Sequence, residues 1–163
     1  MIYHYNATAC FNLLAQSLVK SGILTPGDSM ILGVPEHHAN IVPRQMIAEQ
    51  YNLTIRRLPI DENYTLDRSV LLSLIDDTTK VISLSAFSNV TGDMPDLSRV
   101  RQIVGDDIFF VIDGSQILGK YPINVTTLGA DVLIGTAHKM FSLTGLGMLR
   151  MQKKRITSLT PAR

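Results

Sequence analysis

This chain of 163 residues has little cysteine and almost no excess of one charge. Its single cysteine, Cys10, cannot form an internal disulfide, which fits a reducing compartment. Fifteen basic side chains face fourteen acidic ones, so a net charge near +1 gives no electrostatic reason to bind nucleic acid or an anionic membrane. Neither is therefore expected as a partner.

Long apolar runs and targeting signals are also missing. No apolar run reaches the roughly 18 to 20 residues that span a bilayer. Residues 1–6 lack the basic region of a signal peptide, so the cytoplasm is the expected location. Hydrophobic residues still make up 45% of the chain and charged residues 18%, which indicates a folded domain with a substantial core.

Several motifs that mark common enzyme sites are absent from the sequence. There is no G-x-G-x-x-G dinucleotide fingerprint and no G-x-x-x-x-G-K-[ST] phosphate-binding loop. The G-x-S-x-G turn of serine hydrolases is missing as well. His37 and His38 are adjacent, and one cysteine adds little to them, so no metal site is expected.

The spacing of apolar residues changes repeatedly between a helical and a strand-like period. Helices are predicted from residues 6–8 to Gly22, from Ile41 to about Tyr51 with Asn40 as N-cap and Pro43 in the first turn, over residues 67–75, and over residues 96–104. Strands are predicted over residues 29–34, 54–60, 81–87, 108–112, 131–135 and 147–151. This alternation predicts an α/β fold: a mostly parallel sheet of about six or seven strands with helices on both faces.

Polar residues gather where the predicted strands end. In a parallel sheet the ligand binds beyond the carboxyl ends of the strands, so these positions are the candidates for chemistry. Each alone has an ordinary explanation: Asp113 can cap a turn, Lys139 can be solvated, and Thr8 is a normal N-cap residue. The positions are residues 36–40, 88–92, 113–116 and 136–139, together with residues 6–8 at the start of the first helix.

The combination of these segments is more specific than any one of them. Residues 36–43 read E-H-H-A-N-I-V-P, residues 88–92 read S-N-V-T-G, residues 113–116 read D-G-S-Q, residues 138–139 read H-K, and residues 144–147 read T-G-L-G. In order and spacing they resemble the class V aminotransferase-like enzymes, and within them the Suf-type cysteine desulfurases. The resemblance covers nearly the whole chain. It implies the large domain of the fold-type I enzymes that use pyridoxal 5′-phosphate (PLP).

The resemblance also implies a role for each matched residue. Lys139 would form a Schiff base with the cofactor and then move the substrate α-proton. Asp113 would pair with the pyridine nitrogen and keep the ring an electron sink. His37 would stack on the ring and act with Lys139 in catalysis. Gln116 would bind the ring oxygen, with Asn89 nearby.

The cofactor phosphate would lie at the N-terminus of the first helix, where free N–H groups favour an anion. The residues completing that phosphate site would be Ala7, Thr8, Thr136 and His138. Three segments depart from the family pattern. Residues 6–9 read N-A-T-A where G-[AT]-T-E is usual, residues 136–139 read T-A-H-K for S-G-H-K, and residues 142–145 read S-L-T-G for G-P-T-G.

The resemblance further implies a domain organisation. Family members are much longer and have a lead-in segment and a C-terminal small domain that supplies a nucleophilic cysteine and an arginine. The expectation is a partial PLP-binding domain over residues 1–152, a tail over residues 153–163 and no small domain. Cys10 matches no catalytic position of the family.

Three interpretations of function remain open. The chain is the PLP-binding part of a cysteine desulfurase acting on a cysteine-like amino acid, as a homodimer or with a second chain that supplies the small domain. Alternatively, it is a truncated or decayed relative that folds and at most binds PLP. The third interpretation is another class V activity, a selenocysteine lyase or an aminotransferase. The E-H-H-A-N-I-V-P segment favours the desulfurase and selenocysteine lyase group.

Overall fold

Buried, mostly apolar strands form the centre of the molecule. The computed structural model describes residues 1–67 and 69–160. Its strands are β1 (Ile2–His4), β2 (Ser29–Gly33), β3 (Thr54–Leu58), β4 (Thr79–Ser85), β5 (Phe109–Asp113), β6 (Val132–Thr136) and β7 (Gly147–Met151). Its helices are α1 (Ala7–Lys20), α2 (His38–Tyr51), α3 (Leu71–Leu74), α4 (Leu97–Val104) and α5 (Lys153–Ile156), with a 3-10 turn over Ala137–Met140.

The seven strands form one sheet in the order β1-β7-β6-β5-β4-β2-β3. The five strands from β3 to β6 in that order run parallel, whereas β7 is antiparallel to both β6 and β1. The prediction of a mostly parallel sheet is thereby confirmed. The carboxyl ends of β2, β4, β5 and β6 consequently meet at one edge of the sheet.

Alternate residues of the central strands enter two separate cores. Met30, Val81 and Val111 pack with α1 and α2 on one face of the sheet. The residues that follow them in sequence, Ile31, Ile82 and Ile112, pack on the other face with α3 and α4. This period of two is the geometry of a strand, and it explains why apolar residues are needed at every position of a sheet covered on both faces.

The start of α2 differs from its prediction. The helix begins at His38 with His37 as N-cap, so the assignment of Asn40 as N-cap is wrong and Pro43 is the sixth helical residue. The reason is tertiary. The Asn40 side chain points into the protein, where it donates to Glu36 and accepts from Ser83.

Three shorter elements also differ from the sequence prediction. The helix predicted over residues 67–75 is reduced to α3, and Arg68 within that prediction lies outside the described residues. The short strand β1 and the helix α5 have no counterpart in the prediction, and α5 falls within the predicted tail, whose residues 161–163 lie outside the described residues. No helix in the described part of the chain has the length and hydropathy required to cross a membrane.

A buried carboxylate joins the C-terminal elements to the sheet. Asp131 is fully buried, and its two oxygens bind Arg101 Nη2 of α4 at 2.6 Å and Arg155 Nε of α5 at 3.0 Å. The Phe110 N–H also donates to Asp131 Oδ2 at 2.9 Å. Since both cations and a backbone donor depend on one carboxylate, Asp131 fixes α4 and α5 against β5 and β6.

Replacing Asp131 with alanine should therefore lower the free energy of unfolding by about 3–5 kcal/mol, because two partly buried guanidinium groups lose their partner. Urea unfolding measures this loss. The matched control is Asp106→Ala: this carboxylate binds Lys154, but its side chain is 78% exposed, so its loss should lower the free energy of unfolding far less than the loss of Asp131. Equal losses in the two variants would contradict the structural role of Asp131.

Candidate functional site

A cavity of about 200 Å³ opens at the carboxyl edge of the sheet, between the strand ends and the start of α1. The nine residues to which the resemblance gave a role come from five distant segments, and all nine line this one cavity. They are Ala7, Thr8, His37, Asn89, Asp113, Gln116, Thr136, His138 and Lys139. Five further lining residues had no predicted role: Asn6, Ala39, Ser85, Phe87 and Ser115.

The floor of the cavity carries a buried carboxylate. Asp113 is the last residue of β5 and is 6% exposed. Its Oδ1 accepts a hydrogen bond from the Ser115 N–H at 2.8 Å, which leaves Oδ2 available to a ligand. The Ser115 hydroxyl is buried and has no hydrogen-bond partner among the described residues. A buried polar atom without a partner in a cavity lining is a group that a bound polar ligand would satisfy.

The first turn of α1 forms another part of the wall. Asn6 is its N-cap, and Asn6 Oδ1 accepts from the Ala9 N–H at 2.8 Å. The N–H groups of Ala7 and Thr8 precede the first intrahelical hydrogen bonds, so they have no acceptor within the helix. No acidic side chain occupies this first turn. The wall therefore favours an anion, through free donors and the positive end of the helix dipole.

The residues after β6 form a tight turn that carries the amine of Lys139. Thr136 Oγ1 lies 3.0 Å from His138 Nδ1, and it also donates to Leu146 O at 3.3 Å. Lys139 follows in the 3-10 turn and is half-buried. Within residues 1–67 and 69–160 its ammonium group has neither a hydrogen bond nor an ion pair. The amine is thus available to a ligand in the cavity.

Two more side chains are oriented by contacts outside the cavity. His37 Nδ1 caps α2 by accepting from the Ala39 N–H at 3.1 Å, which fixes the imidazole ring at the rim. Gln116 Oε1 accepts from Lys120 Nζ at 2.9 Å, so the Gln116 amide group is left with its two N–H donors for a ligand. Lys120 in turn lies over the ring of Phe87, 5.7 Å from its centroid.

A second buried carboxylate lies next to the cavity, and sequence reasoning gave it no role. Glu36 is 6% exposed, and burial raises its pKa to about 7, with a smaller upward effect from the charge of Asp113. It is bound by Ser85, which lines the cavity. An acidic residue that directly follows an apolar strand and precedes His37 is the sequence signal that could have drawn attention to Glu36.

Cys10 takes no part in this cavity. It is fully buried in α1, and burial raises the pKa of its thiol to about 11. Among the described residues there is no cluster of His, Cys, Asp and Glu suited to hold a metal ion. The reactive groups that line the cavity are therefore an amine, a carboxylate, two imidazoles and a set of neutral donors.

Comparison with known proteins connects this arrangement to one family. The model of the family "aminotransferase class-V" matches residues 1–163. A cysteine desulfurase of Pectobacterium atrosepticum is 32% identical over 162 residues, which are 99% of this chain and 40% of that protein. The chain thus spans about 40% of the length of this relative.

Solved structures give the same result. A crystal structure of a cysteine desulfurase from Escherichia coli superposes with a TM-score of 0.90 at 30% identity, covering 98% of this chain and 40% of the other. The apo structure of a cysteine desulfurase from Thermococcus onnurineus superposes with a TM-score of 0.88 at 27% identity, covering 97% and 39%. The fold of the chain is therefore that of the matching part of these proteins.

The position of the first turn of α1, which forms part of the cavity wall, should depend on Gly147, the first residue of β7. A Cβ atom at this position would overlap the backbone carbon and oxygen of Asn6, so Gly147→Ala must displace the N-cap of α1. We expect a loss of about 1–3 kcal/mol in the free energy of unfolding and faster amide hydrogen exchange at Ala7 and Thr8.

The matched control is Gly135→Ala in β6, where the added Cβ would come too close only to Cδ1 of Leu118, the end of a flexible side chain. This variant should leave hydrogen exchange at Ala7 and Thr8 as it is in the unmodified chain. Unchanged exchange in Gly147→Ala would show that β7 does not fix the first turn of α1.

Proposed function

The chain belongs to the class V aminotransferase family, and on that premise we propose that its cavity binds PLP covalently through Lys139. The observation that carries the proposal is the gathering of an amine, a carboxylate, an imidazole ring and a helix N-terminus around one cavity. These groups complement the aldehyde, the pyridine nitrogen, the ring face and the phosphate of PLP, respectively. The residues present fit the cofactor.

Lys139 is the proposed covalent anchor. Its amine has no competing partner in the described residues, and it is half-buried beside the cavity. The amine is therefore available to attack the aldehyde of PLP. The same Nζ atom would then accept and return the α-proton of a bound amino acid.

Asp113 is the proposed partner of the pyridine nitrogen. Its Oδ2 is free of hydrogen bonds to the described residues, and its low exposure strengthens a charge-assisted bond to a cationic ring nitrogen. When bound, PLP supplies an electron sink for the α-carbon of an amino acid. The Asp113 carboxylate would maintain that property by keeping the ring nitrogen protonated.

The remaining contacts would orient the cofactor. The free N–H groups of Ala7 and Thr8, with Thr136 and His138, would hold the phosphate. Gln116, whose amide is oriented by its hydrogen bond from Lys120, would donate to the ring oxygen. Asn89 would lie beside that oxygen. The unpartnered Ser115 hydroxyl is a further donor that the cofactor would satisfy. His37 would cover the ring face.

The proposed reaction class is the removal of sulfur from a cysteine-like amino acid. The support is that the similar proteins are named cysteine desulfurases and that this chain shares their fold over nearly all of its length. The 163 residues correspond to about 40% of those proteins, so the activity is proposed for the site together with a second chain or domain. A PLP-binding relative without turnover is the alternative, and the burial of Cys10 favours it for the chain alone.

We also propose that the cavity is completed by a second copy of the chain. Four large apolar side chains that lie one to four positions in sequence from a lining residue are exposed: Tyr5 by 73%, Val90 by 70%, Phe141 by 86% and Leu143 by 80%. Exposed apolar groups of this size favour association with another surface.

Borohydride reduction of the chain with PLP tests the covalent anchor. Mass spectrometry of peptides should place the pyridoxyl group on Lys139, because this amine lies at the cavity and has no competing partner. The yellow absorption of bound PLP should be lost in Lys139→Ala. It should persist in Lys80→Ala, whose amine lies near the opposite ends of the strands and binds Asp77 O. Unchanged yellow colour in Lys139→Ala would refute the assignment.

The chain alone should not transfer sulfur to its own thiol. A thiol with a pKa of about 11 is ionised in roughly one molecule in a thousand at pH 8, and Cys10 is also inaccessible. Mass spectrometry should find no persulfide after incubation with PLP and cysteine. Iodoacetamide should label Cys10 only in urea, which serves as the control. Sulfide release that disappears in Lys139→Ala but survives in Cys10→Ser would show that this chain desulfurates without its thiol.

A further inference from the structure

We propose that Glu36 is a positioning residue: its carboxyl group joins the end of β4 to the first turn of α2 and thereby fixes the imidazole of His37 relative to the carboxylate of Asp113. The inference deepens the proposed PLP site, on which it rests for its functional meaning. His37 and Asp113 are the residues proposed to cover the cofactor ring and to bind its nitrogen. A ring contacted by both needs the two side chains at a constant separation and orientation.

Glu36 is buried between two segments of the chain and bonded to both. Its Oε1 accepts from the Ser85 N–H at 2.7 Å. Its Oε2 accepts from the Ser85 hydroxyl at 2.7 Å and from Asn40 Nδ2 at 2.8 Å. Ser85 is the last residue of β4, and Asn40 is the third residue of α2. One side chain therefore fixes the start of the helix to the end of the strand.

The strand side of this link leads directly to the cavity floor. Ser85 pairs in register with Asp113 at the end of β5, and the next residue, Ala86, donates its N–H to Asp113 O at 2.9 Å. Ser85 itself lines the cavity. A displacement of Glu36 relative to Ser85 is therefore also a displacement relative to the backbone that carries the Asp113 carboxylate.

The helix side of the link leads to His37. This residue lies between Glu36 and the first helical turn, and its Nδ1 accepts from the Ala39 N–H at 3.1 Å. The ring also lies edge-on to the ring of the neighbouring His38, with the centroids 6.3 Å apart. Among the described residues, the imidazole has no hydrogen bond to another segment of the chain. Its place at the cavity rim consequently depends on how firmly the backbone on either side of it is held.

Asn40 is itself held from the side away from Glu36. Its Oδ1 accepts from the Ser83 hydroxyl at 2.8 Å. Its backbone O accepts from Nη1 of Arg44, which is fully buried, at 3.2 Å. A buried chain of hydrogen bonds that runs from Ser83 through Asn40 to Glu36 restricts these side chains to few arrangements.

Gly33 shows how closely the Glu36 carboxyl group is enclosed. A Cβ atom at Gly33 would lie 2.9 Å from Glu36 Oε1 and 3.2 Å from Leu66 Cδ2. A carboxyl group without partners would turn away from such a Cβ, but this one would have to weaken its bond from the Ser85 N–H. Gly33→Ala therefore displaces the Glu36 carboxyl group without changing its chemistry.

The first experiment needs no cofactor and observes His37 by nitrogen NMR in alkaline buffer. In the unmodified chain the Nδ1 atom should give the signal of an acceptor, because it receives the Ala39 N–H. Glu36→Met removes all three hydrogen bonds, so the signal should move towards the average of the two tautomers and the Ala39 amide should exchange roughly fivefold faster or more. Gly33→Ala should give the same changes at a smaller size.

The control for general destabilisation is Asp131→Ala, which weakens the chain at the opposite edge of the sheet, before β6 begins. This variant should leave the His37 signal in place, and Gly135→Ala should do the same. An unmoved His37 signal in both Glu36→Met and Gly33→Ala overturns the inference. If Glu36→Met does not fold, an unmoved signal in both Glu36→Gln and Gly33→Ala overturns it.

An exchange of the carboxyl and amide groups tests the link itself. Glu36→Gln keeps the size of the side chain but leaves at least one of the three donors without an acceptor. In Glu36→Gln/Asn40→Asp the amide at position 36 donates to the carboxylate at position 40, whose second oxygen still accepts from Ser83. The double variant should recover roughly half or more of the change seen in Glu36→Gln. Losses that add in the double variant contradict a direct link between these two residues.

The last experiment measures the site with pyridoxine 5′-phosphate, which has no aldehyde and so does not depend on Lys139. Calorimetry should show about threefold weaker binding or more in Glu36→Gln, because a displaced His37 ring loses its contact with the ligand ring, and the double variant should bind more tightly again. Inorganic phosphate, followed through the amide signals of Ala7 and Thr8, should bind equally to all variants, because the wall formed by α1 does not include Glu36.

The proposed function and the positioning role fail in different ways. A His37 signal that responds to Glu36→Gln in a chain that binds no pyridoxine 5′-phosphate refutes the proposed function alone. Equal binding of pyridoxine 5′-phosphate by the unmodified chain and by all variants refutes the positioning role alone.

Discussion

Parallel pairing of buried strands is the constraint on which the rest of this structure depends. It covers both faces of β2, β4, β5 and β6 and so favours apolar side chains along their length, with the buried Ser83 of β4, which donates to Asn40, as an exception. Polar residues are therefore concentrated where the strands end, and the common direction of the strands brings those ends together. The register pair Ser85 and Asp113 shows this directly, since it joins two distant segments at the cavity floor.

The same constraint explains what the sequence could predict. Continuous apolar runs located the central strands to within about two residues, and the family resemblance named nine residues that all line one cavity. The start of α2 was missed because Asn40 is held by Glu36 and Ser83, and such tertiary bonds override a local capping preference. The strand β1 was missed because its three residues carry no apolar period and depend on β7.

The burial of charged side chains could not be predicted from the sequence, for a different reason. Arg44 follows Pro43 on a helix and would ordinarily be assigned to a solvated face, because a lone arginine is rarely fully buried. Its position becomes clear only from the fold, which puts α1 and α2 side by side over the sheet and closes Phe11 over the guanidinium group. Asp131 and Glu36 then differ in kind: the first has two cations in contact, and the second accepts three hydrogen bonds from neutral donors.

The antiparallel strand β7 limits the order in which parts of the chain can fold. Residues 6–8 leave the ribosome long before β7 does, yet β1 beside them pairs only with β7, and Gly147 rests against Asn6. The cavity wall formed by the first turn of α1 therefore cannot take its final shape until residue 149 has emerged from the exit tunnel. During synthesis α1 emerges well before β7, which lies about 140 positions downstream, and forming such a long-range contact slows folding. A nascent chain interrupted before β7 would carry most of the sheet and no completed cavity.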